Sequence, residues 1–181
     1  VVYLTSLFGN NFNNIGSEFH QFIALSSQKF TQGCVHIEAN SFFSVKLKNP
    51  TTSSLLLIDN FMDTKILNNS FVFLNGNFAI LSLPQGLKSQ NLEVSLNDIA
   101  YVNIKGFLLY TGESIETFSL VRNTFSTSTF NLACVSIDVN EASGPWILDG
   151  NRFEKVDFVF DSTNKQGESH GFMSLYSSNI S

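Results

Sequence analysis

The sequence has little charge. Charged residues make up 14% of the 181 residues, against about 25% in a typical soluble domain. The net charge is -5, and lysine and arginine form no cluster along the chain. Binding to a nucleic acid backbone or to an anionic membrane surface depends on such basic clusters. We therefore expect neither of these partners.

Cysteines and long apolar runs are also scarce. The two cysteines, Cys34 and Cys134, are a hundred positions apart, a spacing that is typical of neither a disulfide framework nor a zinc ribbon. The sequence has no run of about 18 apolar residues, the length that a membrane-spanning helix needs. We predict no membrane span in this segment, no metal site and no cofactor.

What the chain does contain is an internal repeat of four slots. An apolar residue is followed after two positions by a second apolar residue, after three more by a small polar residue, and after two more by Phe or Ile. The clearest copy is Trp146, Leu148, Asn151 and Phe153. The third slot holds Asn10, Asn40, Asp59, Gly76, Asn97, Asn123 and Asn151. The fourth slot holds Phe12, Phe42, Phe61, Phe78, Ile99, Phe125 and Phe153.

The polar third slot predicts a corner between two strands. Apolar residues two apart lie on one face of a strand, so the fourth-slot residue faces the same way only if the chain turns before it. Asn, Asp and Gly tolerate the left-handed backbone conformation that we expect at the turn. Asparagines in successive corners can exchange hydrogen bonds along a ladder. The Phe residues are expected to stack in the core, each contributing roughly 1.5 to 3 kcal/mol.

The intervals between copies indicate a solenoid with loops of variable length. They range from 17 to 28 residues between Phe42 and Phe153, whereas helical repeats keep a tighter period and a 3.6-residue apolar spacing. We predict an all-β fold, a right-handed parallel β-helix of seven to eight coils. In such a fold Cys34 and Cys134 lie roughly 19 Å apart, too far for a disulfide. A β-sandwich of short antiparallel strands is the alternative.

These units resemble the right-handed parallel β-helix repeats of the pectate-lyase-like superfamily, whose coils carry an Asn corner ahead of an inward aromatic or aliphatic residue. The resemblance extends from about Leu7 to Ile180. It implies the fold more than the function, because that superfamily includes polysaccharide lyases, glycoside hydrolases, phage tailspikes and adhesins. Its enzymes place acids, or Arg with calcium-binding Asp residues, on the solvent face of one sheet across adjacent coils.

The corresponding outward positions lack a matching set of acids. They lie six and four positions before each fourth-slot residue, and they hold Ser6, Phe8, His36, Glu38, Leu55, Leu57, Val72, Leu74, Glu93, Ser95, Ser119, Val121, Ile147 and Asp149. No two neighbouring coils both have a carboxylate there, so the acid pair of a glycoside hydrolase is not expected. Arg122, Arg152 and Asp149 have the charges to bind an acidic sugar, although exposed charges at turns are the simpler interpretation. We predict no catalytic residue.

Two of the predicted coils carry apolar residues at the outward positions instead. Leu55, Leu57, Val72 and Leu74 make the stretches SSLLLIDN and SFVFLNGN apolar on both strand faces. Strands of this kind are normally covered. Either a loop of the chain covers these four residues, or they form an interface with another protein.

The repeat extends close to both ends of the sequence, from about Leu7 to Ile180, and the first residue, Val1, is not an initiator Met. We interpret residues 1–181 as a single β-helix segment from the interior of a longer chain. We predict a non-catalytic structural module of an extracellular or cell-surface protein, a rod, adhesin shaft or filament subunit that associates with itself or with other chains. The sequons at Asn68 and Asn179 predict glycosylation if the protein is secreted. The alternative is a carbohydrate-active enzyme or a sugar-binding β-helix, with glycans as partners.

Overall fold

The protein is built from parallel strands, and each strand pairs with the equivalent strand of the next coil. The computed structural model describes residues 3–14, 16–17, 21–26, 33–47, 53–85, 89–142, 144–159 and 171–180. Every pair of strands within these ranges is parallel. The fold is an all-β parallel solenoid, a β-helix of about five turns. This confirms the predicted fold class, with fewer coils than predicted.

The strands follow the coils in chain order. The first coil contains β1 (Tyr3–Phe8), β2 (Asn11–Asn13), β3 (Gly16–Ser17) and β4 (Gln21–Ser26). The second contains β5 (Gly33–Glu38), β6 (Ser41–Phe43), β7 (Lys46–Leu47) and β8 (Ser53–Asp59). The third contains β9 (Asp63–Leu67), β10 (Ser70–Val72) and β11 (Phe78–Gln85). The fourth contains β12 (Ser89–Ser95), β13 (Asp98–Ala100), β14 (Asn103–Ile104) and the start of β15 (Gly106–Val121). The remaining strands are the end of β15, β16 (Thr124–Phe130), β17 (Val135–Ala142), β18 (Trp146–Asp149), β19 (Arg152–Phe158) and β20 (Met173–Ile180).

The solenoid has three faces. The first face is formed by β1, β5, β9, β12, the end of β15 and β18. The second is formed by β2, β6, β10, β13, β14, β16 and β19, and the third by β4, β8, β11, the start of β15, β17 and β20. The short strands β3 and β7 form a separate pair. Along β5, buried and half-buried residues alternate, because successive side chains of a strand point to opposite sides. Residues in equivalent positions therefore form columns that run along the axis, some inward and some outward.

An asparagine ladder occupies the first corner, between the first and second faces. It consists of Asn10, Asn40, Asn69, Asn97, Asn123 and Asn151. At each step the backbone N and the side-chain Nδ2 of one asparagine both donate to Oδ1 of the next, at 2.9 to 3.0 Å. The steps are 30, 29, 28, 26 and 28 residues long. This is the true period of the solenoid.

The left-handed residue at this corner precedes the asparagine rather than being the asparagine itself. Positive φ angles occur at Gly9, Ala39, Asn68, Leu96, Arg122 and Gly150, and none of the ladder asparagines has one. The expected reason for Asn at the corner, its tolerance of the left-handed conformation, was therefore wrong. Asn is needed there for its amide, which satisfies backbone groups that the turn leaves unpaired.

Aromatic rings stack in the core just beyond the ladder. The Phe12 and Phe42 centroids are 4.8 Å apart, and those of Phe42 and Phe71 are 5.1 Å apart at an interplanar angle of 8°. The smaller Ile99 takes the next position in the column. There the ring of Phe107, from the third face, makes edge contacts with both Phe71 and Phe125. Phe125 in turn stacks on Phe153 at 4.9 Å.

The coils predicted at Phe61 and Phe78 have no corner on the ladder, and one coil with its corner at Asn69 takes their place. Phe61 follows β8 and Phe78 begins β11, so both rings border the third face; they are buried but lie outside the aromatic column. Asp59 ends β8 and accepts a hydrogen bond from Ser26 Oγ at 3.1 Å. Gly76 lies against the ring of Phe78. Asn69 and Phe71 take the corner and core positions that the sequence pattern assigned to these residues, which lowers the number of coils.

The predicted apolar stripe of Leu55, Leu57, Val72 and Leu74 is not formed. Leu55 and Leu74 belong to the buried core. Leu57 and Val72 are half-buried, but Leu57 lies on the third face and Val72 on the second. The prediction was wrong because it placed all four residues on the first face, whose third strand is β9.

Tyr110 illustrates how tightly the third face is packed, since only 1% of this residue is exposed. Its hydroxyl donates to the backbone oxygen of Ser114 at 3.1 Å. Burial disfavours the phenolate and raises the pKa of Tyr110 to about 12, although a hydrogen bond with Ser89 opposes the shift.

We expect Tyr110 to couple stability to alkaline pH. A tyrosine in an unfolded chain ionises near pH 10, so the folded state retains this proton between about pH 10 and 12. The contribution to stability is complete below about pH 10 and is lost as the pH rises through that window. Ultraviolet titration should show a component that ionises late, and Tyr110→Phe should remove that component. Ionisation of all four tyrosines near pH 10 in the folded protein would contradict this.

Candidate functional site

A groove of about 650 Å³ runs along the outer side of the first face. Two outward columns line most of it, because alternate residues of each strand point away from the core. One column contains Leu4, Cys34, Asp63, Asn91 and Thr117. The other contains His36, Lys65, Glu93, Ser119 and Ile147. We call this feature the first-face groove.

Two carboxylates lie on adjacent coils in the first-face groove. Asp63 pairs with Asn91, and Lys65 pairs with Glu93, so Asp63 and Glu93 are diagonal neighbours on β9 and β12. The sequence pattern missed Asp63 because the true frame of this coil ends at Phe71, which places Asp63 one outward position beyond those considered. At the predicted outward positions themselves, this coil offers Lys65 and Leu67.

Hydrogen bonds join the first column across four coils. Cys34 Sγ donates to Asp63 Oδ2 at 3.5 Å, and Asn91 Nδ2 donates to Asp63 Oδ1 at 2.6 Å. Thr117 Oγ1 donates to Asn91 Oδ1. Both oxygens of Asp63 therefore accept a hydrogen bond, and the bonds to Asp63 and from Thr117 hold the amide of Asn91 in one orientation.

The second column is held by looser contacts. Lys65 Nζ lies 3.6 Å from Glu93 Oε2. His36 Nε2 lies 3.0 Å from Glu38 Oε2, but it is not aligned to donate a hydrogen bond to it. Partly exposed pairs of this kind contribute little to stability. Their side chains can exchange these contacts for contacts with a ligand at small energetic cost.

The thiol in the groove is protonated at neutral pH. Burial, followed by the hydrogen bond and the negative charge of Asp63, raises the pKa of Cys34, against a smaller lowering by Lys65. A protonated thiol is a poor nucleophile and a poor metal ligand. Within the described ranges, no three or more His, Cys, Asp or Glu side chains are grouped to hold a metal ion.

Reactivity towards a thiol reagent should separate the two cysteines, which are both unbridged. Cys134 is fully buried, and burial raises its pKa well above the ordinary value, so only Cys34 should react with Ellman's reagent in the native protein. Asp63→Asn removes the charge that opposes thiolate formation and should accelerate the reaction. Cys34→Ser should abolish it, and Cys134→Ser should leave it unchanged. Rapid modification of Cys134 without denaturant would contradict the buried position.

The other charged residues singled out by the sequence lie outside the first-face groove. Arg152 Nη2 is 3.0 Å from Glu154 Oε2 in an exposed ion pair. The side chain of Arg122 lies over Gly150, where an added Cβ would be 3.1 Å from Arg122 Cγ. Asp149 is exposed. All three residues are exposed, as the simpler interpretation of exposed charges near turns expects.

The structure describes the side chain of one sequon asparagine, Asn68, but not that of the other, Asn179. Asn68 is exposed at the first corner, with a positive φ of 54°, and it precedes the buried ladder residue Asn69. Asn179 lies in β20, and its side chain is outside the described residues. Glycosylation at either position stays a prediction.

The fold and the groove define the class of the protein as a parallel β-solenoid with a polar groove on one face. Comparison with known protein families, with curated proteins and with solved structures found no match in any of the three. Among the described residues, no helix is long and apolar enough to span a membrane.

Proposed function

We propose that this chain is a non-catalytic structural module, a rigid β-helical shaft of an extracellular or surface protein related to the pectate-lyase-like β-helices. The observation that carries the proposal is the asparagine ladder, which joins every described coil to the next. Each step adds two hydrogen bonds to those of the parallel strands. A bend or a stretch along the axis must break several of these bonds at once, so the ladder favours a stiff rod.

Self-association of such shafts is supported by the surfaces of the outermost described coils. Leu148 and Phe153 are 48% and 41% exposed, whereas the equivalent residues one coil earlier, Leu120 and Phe125, are fully buried. The ladder has a direction, since each asparagine donates to the next along the chain. Asn10 therefore offers an acceptor at one end of the described ladder and Asn151 offers donors at the other. A further coil would match these groups, whether it belongs to a longer chain or to a second copy stacked head to tail.

Small-angle scattering and sedimentation across a range of concentrations test this proposal. We expect an elongated particle that lengthens with concentration at constant cross-section. Phe153→Asp should prevent the lengthening, because it places a charge in the stacking surface. Phe43→Asp is the matched control, since Phe43 is similarly exposed, at 38%, but lies on the side of the solenoid. A compact particle of constant size at all concentrations would contradict the proposal.

Sugar binding, with or without catalysis, is the second candidate function. The observation in its favour is the first-face groove, where Asp63, Asn91 and Glu93 present acceptors and donors of the kind that bind hydroxyl groups. Affinity and product formation should be measured with polygalacturonate and with neutral polysaccharides. Glu93→Gln should weaken binding in the groove, and the exposed Asp157→Asn outside it should have no effect. Equal behaviour of the two variants would exclude a role for the groove.

A further inference from the structure

Three aromatic side chains form an exposed row at the second corner, where the second face ends. Phe43 and Phe73 meet edge to face with centroids 5.2 Å apart, and Phe73 stacks on Tyr101 at 5.0 Å with an interplanar angle of 19°. They belong to three successive coils. Phe43, Phe73 and Tyr101 are 38%, 48% and 54% exposed. We call these residues the aromatic row.

Two members of the aromatic row occupy a backbone position that disfavours them. The left-handed residues of the second corner are Asn14, Ser44, Phe73, Tyr101, Thr127 and Lys155, with φ between 47° and 56°. This conformation is easily adopted by Asn and is unfavourable for bulky side chains. Aromatic rings that are both strained and exposed add little to the fold, and residues of this kind are concentrated at binding sites.

The area of the aromatic row favours a small ligand over a protein partner. A fully buried aromatic side chain removes about 150–250 Å² from water, so the exposed parts of the three rings amount to roughly 300 Å². A stable protein interface needs about 800 Å² from each partner. A single ring of a small ligand, lying against Tyr101, needs much less.

Two amides and one lysine beside the aromatic row favour a ligand with many hydroxyl groups. Lys46 pairs with Asn75, and Asn75 with Asn103, in a column just beyond the second corner, and all three are exposed. The amide groups both donate and accept hydrogen bonds. In the next coil the residue level with Tyr101 is the smaller Thr127, and 54% of Tyr101 is exposed.

We propose that the aromatic row binds a neutral glycan, with one sugar ring lying on Tyr101 and its hydroxyl groups bonded to Asn75 and Asn103. The apolar C–H face of a sugar ring matches the aromatic surface, and the hydroxyl groups match the amides. The site is distinct from the first-face groove, because it lies across the second corner. It does not depend on the shaft function.

Calorimetric titration with cellohexaose, laminarihexaose, maltohexaose and mannohexaose tests the site. We expect saturable binding of at least one of these sugars with Kd below about 1 mM. Tyr101→Asn should weaken it at least tenfold, and Tyr101→Phe should retain most of it. Because Asn suits the left-handed position, the melting temperature of Tyr101→Asn should stay within about 2 °C of the parent, so a loss of binding cannot be attributed to unfolding.

The groove variant Glu93→Gln is the control for location. Binding that survives Glu93→Gln and is lost in Tyr101→Asn supports the aromatic row. Binding that is lost in Glu93→Gln and kept in Tyr101→Asn overturns the proposal in favour of the groove. Failure of all four sugars to bind overturns it outright.

Discussion

Asn69→Ala is expected to lower the free energy of unfolding by about 4 kcal/mol. Asn69 is 1% exposed, and its Nδ2 donates to the backbone oxygens of Ile37 and Leu67 and to Asn97 Oδ1, each at 3.0 Å. Its Oδ1 accepts from both nitrogens of Asn40. Each buried group left unpaired costs about 1–3 kcal/mol. Denaturant unfolding followed by circular dichroism measures the loss.

Asn10→Ala is the matched control for the ladder. Asn10 is only half-buried, and its side chain makes two hydrogen bonds, to Asn40 and to Phe8, so we expect a loss of about 1 kcal/mol. Asn69→Asp keeps the size of the side chain but loses the donors and adds a buried charge, and it should destabilise at least as much as Asn69→Ala. Tolerance of Asp at position 69 would show that packing, not hydrogen bonding, holds the corner.

Phe71→Ala should produce a loss of similar size, about 4 kcal/mol. The ring is fully buried, stacked on Phe42 and in edge contact with Phe107. Its removal leaves a cavity that the flanking coils cannot close without breaking the register of the strands, and Phe→Ala substitutions in cores cost about 3–5 kcal/mol. The shift of the guanidinium midpoint at unchanged slope measures the effect.

Two further variants make this second prediction specific. Phe153→Ala removes the equivalent ring of an outer coil, where 41% of the residue is already exposed, so the expected loss is about 1–2 kcal/mol. Phe71→Ile should be less harmful than Phe71→Ala, because Ile99 fills the equivalent position one coil later. If Phe71→Ala and Phe153→Ala were equally destabilising, the column would not be the core of the solenoid.

These losses bear directly on the shaft proposal. A repeat protein is stabilised by contacts between neighbouring coils. Removing the side chain of Asn69 or Phe71 therefore weakens the contacts between its coil and the coils on either side. We expect the variants to shorten the rigid segment as well as to lower stability. The total stability of a folded domain is only about 5–15 kcal/mol, so either fault weakens the whole described solenoid.

The fold could be predicted because each position of its repeat requires a residue type with a specific physical role. An inward apolar pair, an amide at the corner and an aromatic residue beyond it recur in the sequence, and each role requires a particular kind of side chain. Asn10, Asn40, Asn97, Asn123 and Asn151 lie in the ladder where the pattern placed them. The interval between copies and the apolar alternation within each copy then indicate a parallel solenoid.

The copy of the repeat that has Phe71 in its fourth slot was missed for an identifiable reason. Its frame has Ile66, Asn69 and Phe71 in the right slots, but Thr64 in the first slot is polar, although it is buried in the structure. The segment around Phe61 matches the repeat equally imperfectly. It resembles the repeat because the corner between the third and first faces also joins an apolar strand to an inward aromatic ring. The regular spacing of 26 to 30 residues was the signal that favoured Phe71.

The sequence by itself determined the class of fold, most of the ladder and the low charge of the surface, because these depend on local patterns of residue type. Only the tertiary structure decided which rings share a column, that Leu55 and Leu74 face the core, and that Asp63 and Glu93 come together in a groove. The reason is that neighbouring residues in a solenoid are separated by a full coil. Their register is set by pairing across that distance, which no local pattern contains.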